Sequence, residues 1–231
     1  ILKVLNCGMN VLKEYQKING LKVDGIIGKE VLTFVKNELK ITNKYRLAHY
    51  MGQLHHESRG FKARRESMNY STIGLKNTFR FFRKNVALAL RFGRNKNHPA
   101  MQQAIANTVY NDDNRSNRYK LGNTEKGDGW KYRGGFGIQT TGRSNYTRLA
   151  KILDDPMILD SPDDVIEKYY FLAGKVFFDD NSIWGMCDLG INISAISRVT
   201  KRINGGLNGL EDRIEWTKYY HSLLVKNNVF S

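Results

Sequence analysis

Apolar residues recur every three to four positions along most of the chain, whereas alternating strand-like patterns are few. This spacing places apolar side chains on one face of an α-helix. Two short helices are predicted before residue 40, separated by a turn-rich link that contains Asn-Gly and Asp-Gly. Their apolar faces consist of Val11, Leu12, Tyr15 and Ile18 in the first helix and Val31, Leu32 and Val35 in the second. The pattern predicts a mainly α fold with a small helical N-terminal segment.

A third predicted helix carries a carboxylate on its apolar face. The apolar line of Leu47, Tyr50 and Leu54 continues to Glu57. Gly60 is suited to end this helix in a left-handed conformation, which places Glu57 in the last turn. Burial and the negative end of the helix dipole both disfavour an ionised carboxylate, so we expect a raised pKa for Glu57.

A carboxylic acid that stays protonated near neutral pH suits a glycosidase, and a second carboxylate follows at Glu66. The break at Gly60 lets the chain fold back, and we expect Glu57 and Glu66 to share one site. If they lie about 6.5 to 9.5 Å apart, a water fits between base and sugar and hydrolysis inverts the anomeric centre. In the alternative interpretation, Glu57 pairs on the surface with one of Arg59, Arg64 and Arg65.

The remaining chain is also predicted to be helical, with a polar link near residues 93–99 and a longer polar stretch after residue 110. Residues 73–110 contain the apolar series Phe79, Phe82, Val86 and Ala89. Residues 111–137 are rich in Asn, Asp, Gly and Arg and are interpreted as a functional surface loop. Amphipathic patterns resume after that loop and continue to the C-terminus.

Composition indicates a globular protein that favours polyanionic partners. The 231 residues, 41% of them hydrophobic, suffice for one catalytic domain and a small appendage. Lys and Arg number 37 against 22 Asp and Glu, a formal net charge of +15. Nucleic acid, anionic lipid and bacterial envelopes are all compatible with that charge. The basic residues are scattered along the chain, which disfavours nucleic acid as the substrate.

Neither a metal site nor a membrane span is predicted. Cys7 and Cys187 lie far apart and are expected to be free thiols. His55 and His56 lack the HExxH spacing of a zinc helix, so packing or a supporting hydrogen bond is expected for them. No apolar run approaches the roughly 18 to 20 residues of a span, and the stretch at Ile1–Gly8 is too short for a secretory leader.

The N-terminal segment YQKINGLKVDGIIGKEVLTFV resembles the helical peptidoglycan-binding repeat that is fused to many wall hydrolases. The matching positions are Gln16, Gly20, Val23, Asp24, Gly25, Ile27 and Gly28. The resemblance implies that residues 1–40 form a wall-binding-like segment. The alternative is a purely structural hairpin of helices.

Three later blocks resemble glycoside hydrolase family 19, the group of plant chitinases and phage endolysins. The first, LAHYMGQLHHESRGFKARRESMNYS, implies that Glu57 is the general acid and Glu66 the general base. The second, GDGWKYRGGFGIQTTGRSNY, implies that Thr141 helps to hold the attacking water while Gln139 and Asn145 line the sugar site. Tyr132 and Arg133 in the same block are expected to contact substrate.

The third block, VTKRINGGLNGLEDR, implies that Asn204 contacts sugar or water and that Arg213 pairs with a carboxylate. The aromatic residues of the second block have two interpretations. These residues are Trp130, Tyr132 and Phe136. Their rings stack on sugar rings in the first interpretation, and at least one of them packs beneath the loop in the second.

The resemblance implies a lysozyme-like α-helical catalytic domain over residues 41–231 that needs no cofactor. The expected function is that of an endolysin, cutting β-1,4 bonds of bacterial peptidoglycan as a monomer without stable membrane insertion. It would be made in the host cytoplasm and reach the wall through a separate pore. The alternatives are a chitinase and a non-catalytic wall-binding protein.

Overall fold

The computed structural model describes residues 10–230, and its regular elements are helices. Strand pairing within that range is limited to isolated bridges such as Arg65 with Gly135. The prediction of a mainly α fold is confirmed. Cys7 and the segment Ile1–Gly8 lie outside the described residues, and so do the predictions made for them.

The helices begin and end as follows in chain order. They are α1 (Val11–Ile18), α2 (Lys29–Glu38), α3 (Lys44–Glu57), α4 (Thr72–Thr78), α5 (Arg80–Lys84), α6 (Val86–Phe92), α7 (Gln102–Val109), α8 (Asp128–Lys131), α9 (Arg143–Leu153), α10 (Met157–Asp160), α11 (Pro162–Val165), α12 (Leu172–Asp180), α13 (Trp184–Cys187), α14 (Ile193–Asn204) and α15 (Leu210–Lys226). Two short 3-10 helices, Asp112–Asn114 and Asn117–Tyr119, lie between α7 and α8.

The helices form two compact units. Unit 1 comprises the described residues up to Arg64, the short segment Phe136–Ile138 and the residues from Ile166 on. Unit 2 comprises Arg65–Gly135 and Gln139–Val165. The assignment of residues 1–40 as a wall-binding-like segment and 41–231 as a catalytic domain stays a prediction.

In unit 1, the N-terminal helices form much as their apolar pattern predicts. Asn10 caps α1 by accepting a hydrogen bond from the backbone N–H of Leu12 at 3.0 Å. The predicted apolar positions of both helices are buried except Ile18, which is 49% exposed because it is the last residue of α1. Its prediction as a core residue is wrong. Tyr15 packs edge-on against Phe171, so α1 is part of the unit 1 core.

Helix α3 ends where the sequence predicted. Arg59, Gly60 and Phe61 all have positive φ, between 54° and 72°, which turns the chain sharply after the helix. The Ser58 hydroxyl supports the turn by donating to the Leu54 carbonyl at 2.6 Å and accepting from the Phe61 N–H at 2.8 Å. Glu57 therefore lies in the last turn of α3, as expected.

Helices α3 and α15 pack in close contact within unit 1. A Cβ atom on Gly52 of α3 would lie 2.7 Å from the Thr217 backbone nitrogen and 2.8 Å from its Cα. Only glycine permits this approach. Leu47, Tyr50 and Leu54 are fully buried on the same helix. The close contact brings the C-terminal turn of α3 next to the N-terminal turn of α15.

Unit 2 has its own apolar core. It consists of Met68, Leu75, Phe82, Ala89, Ile105, Ala106 and Val109. Val86 was predicted on this face, but it is 46% exposed because it begins the short helix α6. Residues 111–137 form only in part the surface loop that was predicted, because residues 116–120 are exposed whereas residues 132–137 are buried. Asp112 is buried there and accepts hydrogen bonds from the N–H groups of Leu121 and Gly122, at 2.7 and 2.9 Å.

None of the helices in the part of the chain that the structure describes has the length and apolar character needed to cross a membrane.

The α3–α15 contact leads to a stability prediction. Gly52→Ala should lower the free energy of unfolding by about 2 kcal/mol, because the new methyl group meets the backbone of α15 and overpacks the contact. Urea unfolding measures the change. Gly185→Ala is the matched control, since a Cβ atom on that helical glycine meets nothing within 4 Å. Equal stability of the two variants would contradict the assigned close approach.

Candidate active site

Glu57 is held by a buried arginine of unit 1. Arg213 donates to Glu57 Oε1 at 2.6 Å, and the two side chains are 2% and 23% exposed. The same guanidinium donates to Gln53 Oε1 at 2.5 Å and to the Asn208 carbonyl at 3.3 Å. The sequence predicted a carboxylate partner for Arg213, and Glu57 is that partner. The alternative in which Glu57 pairs with a neighbouring arginine on the surface is therefore wrong.

Asn204 supports the turn that precedes α15. Its side-chain amide donates to the Asn208 carbonyl at 3.1 Å, and its oxygen accepts from the Gly206 N–H at 2.7 Å. Because the Asn208 carbonyl also accepts from Arg213, Asn204 and Arg213 share one backbone partner. The structure thus brings together Asn204, Arg213 and Glu57 within unit 1.

Glu66 lies in unit 2 and is held by uncharged donors. The Tyr110 hydroxyl lies 2.7 and 2.8 Å from its two carboxylate oxygens, and the Gly134 N–H donates to Oε2 at 3.3 Å. The backbone N–H of Glu66 in turn donates to the Gly134 carbonyl at 2.9 Å. Burial, followed by the charge of Glu66, raises the pKa of Tyr110 above its usual range, so the phenol stays a donor.

Tyr110 was missed by the sequence analysis. It follows α7 directly and is separated from Glu66 by 44 positions, with no motif linking the two. A single tyrosine after a helix gives no signal of such a contact.

Gln139 is close to Glu66 in unit 2. A Cβ atom on Gly134 would lie 2.9 Å from Gln139 Oε1 and 3.0 Å from Glu66 Cβ, so both side chains border the same glycine. Gly135 and Thr140 exchange two backbone hydrogen bonds, at 2.8 and 3.1 Å, which fixes the start of the following loop. A larger residue at position 134 would have to displace the side chain of Gln139 or Glu66.

Thr141 follows in unit 2 just before α9, and Asn145 lies in the first turn of that helix. The Thr141 hydroxyl donates to the Gln139 carbonyl at 3.0 Å, and the Asn145 amide donates to the Thr141 carbonyl at 2.7 Å. The hydroxyl oxygen of Thr141 keeps its capacity to accept a hydrogen bond. The structure brings together Glu66, Gln139, Thr141 and Asn145, and their catalytic and binding roles stay predictions.

Tyr132 and Arg133 lie deeper than their predicted contact with substrate would suggest. Tyr132 is 1% exposed, and its hydroxyl donates to the Leu159 carbonyl at 3.2 Å. Arg133 stacks 3.6 Å from the centroid of the Trp130 ring, and burial lowers the pKa of its guanidinium to about 10. Phe136 is fully buried. The packing interpretation is therefore confirmed for Tyr132 and Phe136, whose rings present no open face to a sugar.

His55 and His56 both pack or form hydrogen bonds, as the sequence predicted. His55 stacks on Trp216 at 3.5 Å between ring centroids and lies 2.8 Å from the Tyr220 hydroxyl. Burial lowers the pKa of His55 to about 4. His56 pairs with Asp212 at 2.5 Å. Residues 10–230 contain no cluster of His, Cys, Asp and Glu that could hold a metal ion, and Cys187 is a free, buried thiol.

Comparison with known proteins gives one relevant similarity. The chain is 35% identical over 188 residues to a protein of Haemophilus influenzae described as a glycosyl hydrolase family 19 domain-containing protein. The aligned region covers 80% of this chain and 82% of that protein. No family model matches the sequence.

The buried ion pair of Glu57 leads to a second stability prediction. Arg213→Gln should lower the free energy of unfolding by about 3 kcal/mol, because it leaves a largely buried carboxylate without its cation. The control is Arg46→Gln, whose partner Asp188 is 34% exposed in the same unit and whose loss should cost about 1 kcal/mol or less. Calorimetric or urea unfolding compares the two variants. Similar losses of unfolding free energy in the two variants would contradict the prediction that the buried Arg213–Glu57 pair matters more than the exposed one.

His55 predicts a pH dependence of stability. Because its folded pKa is lowered to about 4, from about 6.5 in an unfolded chain, its neutral form contributes stability that is complete above about pH 6.5 and is lost as the pH falls toward 4. Between about pH 7 and about pH 5, the urea midpoint of wild type should therefore fall more than that of His55→Gln. His98→Gln, which removes a histidine from the other unit, serves as the control. Parallel falls in wild type and His55→Gln would contradict the prediction.

Proposed function

This chain belongs to glycosyl hydrolase family 19, and from that premise we propose that it cleaves bacterial peptidoglycan as an endolysin of the lysozyme type. It is a glycoside hydrolase. The observation that carries the proposal is that both family carboxylates are present, and each is held by dedicated donors. Glu57 is bound by Arg213, and Glu66 by Tyr110 and the Gly134 N–H.

In the proposed mechanism Glu57 is the proton donor. Arg213 donates to Oε1, and among the described residues no group bonds to Oε2, so we assign the transferred proton to Oε2. The proton passes to the glycosidic oxygen as the bond between that oxygen and C1 breaks. The carboxylate that remains gains a charge-assisted hydrogen bond from Arg213, which stabilises it as the proton leaves.

Glu66 is the proposed base. It takes a proton from water while the water oxygen forms the new bond to C1, which inverts the anomeric centre. Tyr110 contacts both oxygens of this carboxylate and thereby fixes its plane. After product release, Glu57 regains its proton and Glu66 loses one to solvent.

The surrounding polar residues are proposed to bind water and sugar. Thr141 accepts a hydrogen bond from the attacking water through its hydroxyl, because that hydroxyl already donates to the Gln139 carbonyl. Gln139 and Asn145 contact the sugar on the Glu66 side, and Asn204 on the Glu57 side. Arg133 is proposed to position Trp130 rather than to contact the sugar, since its guanidinium stacks on that ring. No cofactor takes part in these steps.

Peptidoglycan is favoured over chitin by charge. A net charge of +15 attracts an anionic bacterial envelope and gives no comparable advantage on neutral chitin. The N-terminal segment that resembles a wall-binding repeat points the same way. We accordingly propose a monomeric enzyme that is made in a host cytoplasm, released through a separate pore and active on the wall, where it causes lysis.

Digestion of purified peptidoglycan and of chitin oligomers tests this function. Wild type should release fragments with reducing N-acetylmuramic acid ends, detected by mass spectrometry, and the α-anomer should appear first by NMR. Glu57→Gln and Glu66→Gln should each reduce the rate by about 10²- to 10⁴-fold, since each removes one proton-transfer group. The matched controls are Glu215→Gln in unit 1 and Glu125→Gln in unit 2, both of exposed residues.

The outcomes separate the candidate functions. Cleavage of chitin oligomers with intact peptidoglycan would establish the chitinase alternative. Cleavage of neither, by a protein shown to be folded, would support a wall-binding protein without catalysis. Full activity of either glutamine variant would remove that residue from the mechanism.

A further inference from the structure

Unit 2 contains a long stretch without acidic residues. Between Glu66 and Asp112 the sequence has seven Lys and Arg residues and no Asp or Glu. These cations are Lys76, Arg80, Arg83, Lys84, Arg91, Arg94 and Lys96. Helices α4 to α7 lie in this stretch. Nearly half of the net charge of +15 thus comes from one part of unit 2.

A groove of about 470 Å³ opens on this part of unit 2. It lies among the end of α4, helix α5, the end of α7 and the two 3-10 helices, and no acidic side chain lines it. Three aromatic and three cationic side chains contribute to its walls. They are Phe79, Phe81 and Tyr119, and Arg80, Lys84 and Arg115. We call this surface the cationic groove.

The cations of the groove remain available to a ligand. Arg80 and Lys84 are exposed, and neither forms an ion pair with any residue that the structure describes. Arg115 is fixed by the carbonyls of Tyr119 and Val109, to which it donates at 2.6 and 3.1 Å. Carbonyl groups orient the guanidinium but do not cancel its charge. The groove therefore presents one cation held by backbone carbonyls and two exposed cations.

We propose that the cationic groove binds the carboxylate-bearing peptide stems of peptidoglycan, an inference that rests on the proposed function. Guanidinium groups match carboxylates with two parallel hydrogen bonds, and the aromatic walls accept the alkyl parts of a peptide. A concave groove fits a chain-like ligand better than the flat surface of a bilayer. Chitin carries no peptide and no carboxylate, so the groove would favour peptidoglycan over chitin.

The test compares binding of two soluble ligands, one of which carries the peptide stem and one of which ends in the free lactyl carboxylate that removal of the stem leaves. One is the disaccharide of N-acetylglucosamine and N-acetylmuramic acid with a tetrapeptide stem, and the other is the same disaccharide after an amidase has removed the stem. Neither contains a bond from N-acetylmuramic acid to a following sugar, which is the bond the proposed activity cuts, so wild-type protein serves in calorimetric titration. Arg80→Gln/Lys84→Gln removes two groove cations, and Arg91→Gln/Lys96→Gln removes one Arg and one Lys outside the groove.

We expect the stem-bearing ligand to bind wild type and the control variant equally and the groove variant about tenfold more weakly, with little binding of the stem-free ligand. Equal binding of both ligands, or an unchanged affinity in the groove variant, would overturn the proposal. So would a groove variant that lost affinity only for vesicles containing anionic phospholipid, because the surface would then bind membrane. Peptidoglycan digestion by the same proteins reports separately on the proposed function, since titration does not depend on hydrolysis.

Discussion

The arrangement around Glu57 depends on the hydrogen bonds that the buried guanidinium of Arg213 donates. A charge that is 2% exposed is costly unless its N–H groups are bonded, and here they donate to Gln53, Glu57 and the Asn208 carbonyl. Those partners come from α3 and from the turn before α15, so satisfying the guanidinium fixes the two elements together. The approach is possible only because α3 has glycine at position 52. The close approach at Gly52 and the hydrogen bonds of Arg213 thus both hold the end of α3 against the start of α15.

Glu66 is fixed in a different way. Its backbone N–H donates to the Gly134 carbonyl, and its side chain accepts from the Gly134 N–H and the Tyr110 hydroxyl. An arginine leaves one oxygen of Glu57 for a proton, whereas a phenol that contacts both oxygens holds Glu66 as an acceptor. The partners of the two carboxylates thus differ, with a cation on one oxygen of Glu57 and an uncharged phenol on both oxygens of Glu66.

Local signals predicted much of the fold, and long-range contacts could not be predicted from spacing. The end of α3 followed from Gly60, because a left-handed residue stops a helix whatever surrounds it. The exposure of Ile18 and Val86 could not be predicted in this way. Periodicity identifies the apolar face of a helix, but it does not show whether other elements cover the ends of that face. Glu57 and Arg213 are 156 positions apart, and only resemblance to a family indicated a carboxylate partner for Arg213. Tyr110 had neither spacing nor motif to reveal it.

Charge illustrates the same limit of sequence patterns. Taken over the whole chain, the net charge of +15 indicates only a class of partner. At physiological ionic strength, charges are screened beyond roughly 8 Å, so a bound ligand senses the side chains that line its groove rather than the total. Arg80, Lys84 and Arg115 line one groove whose lining contains no acidic residue. Net charge and groove therefore act at different ranges, the first by attracting the enzyme to an anionic wall and the second by selecting what binds there.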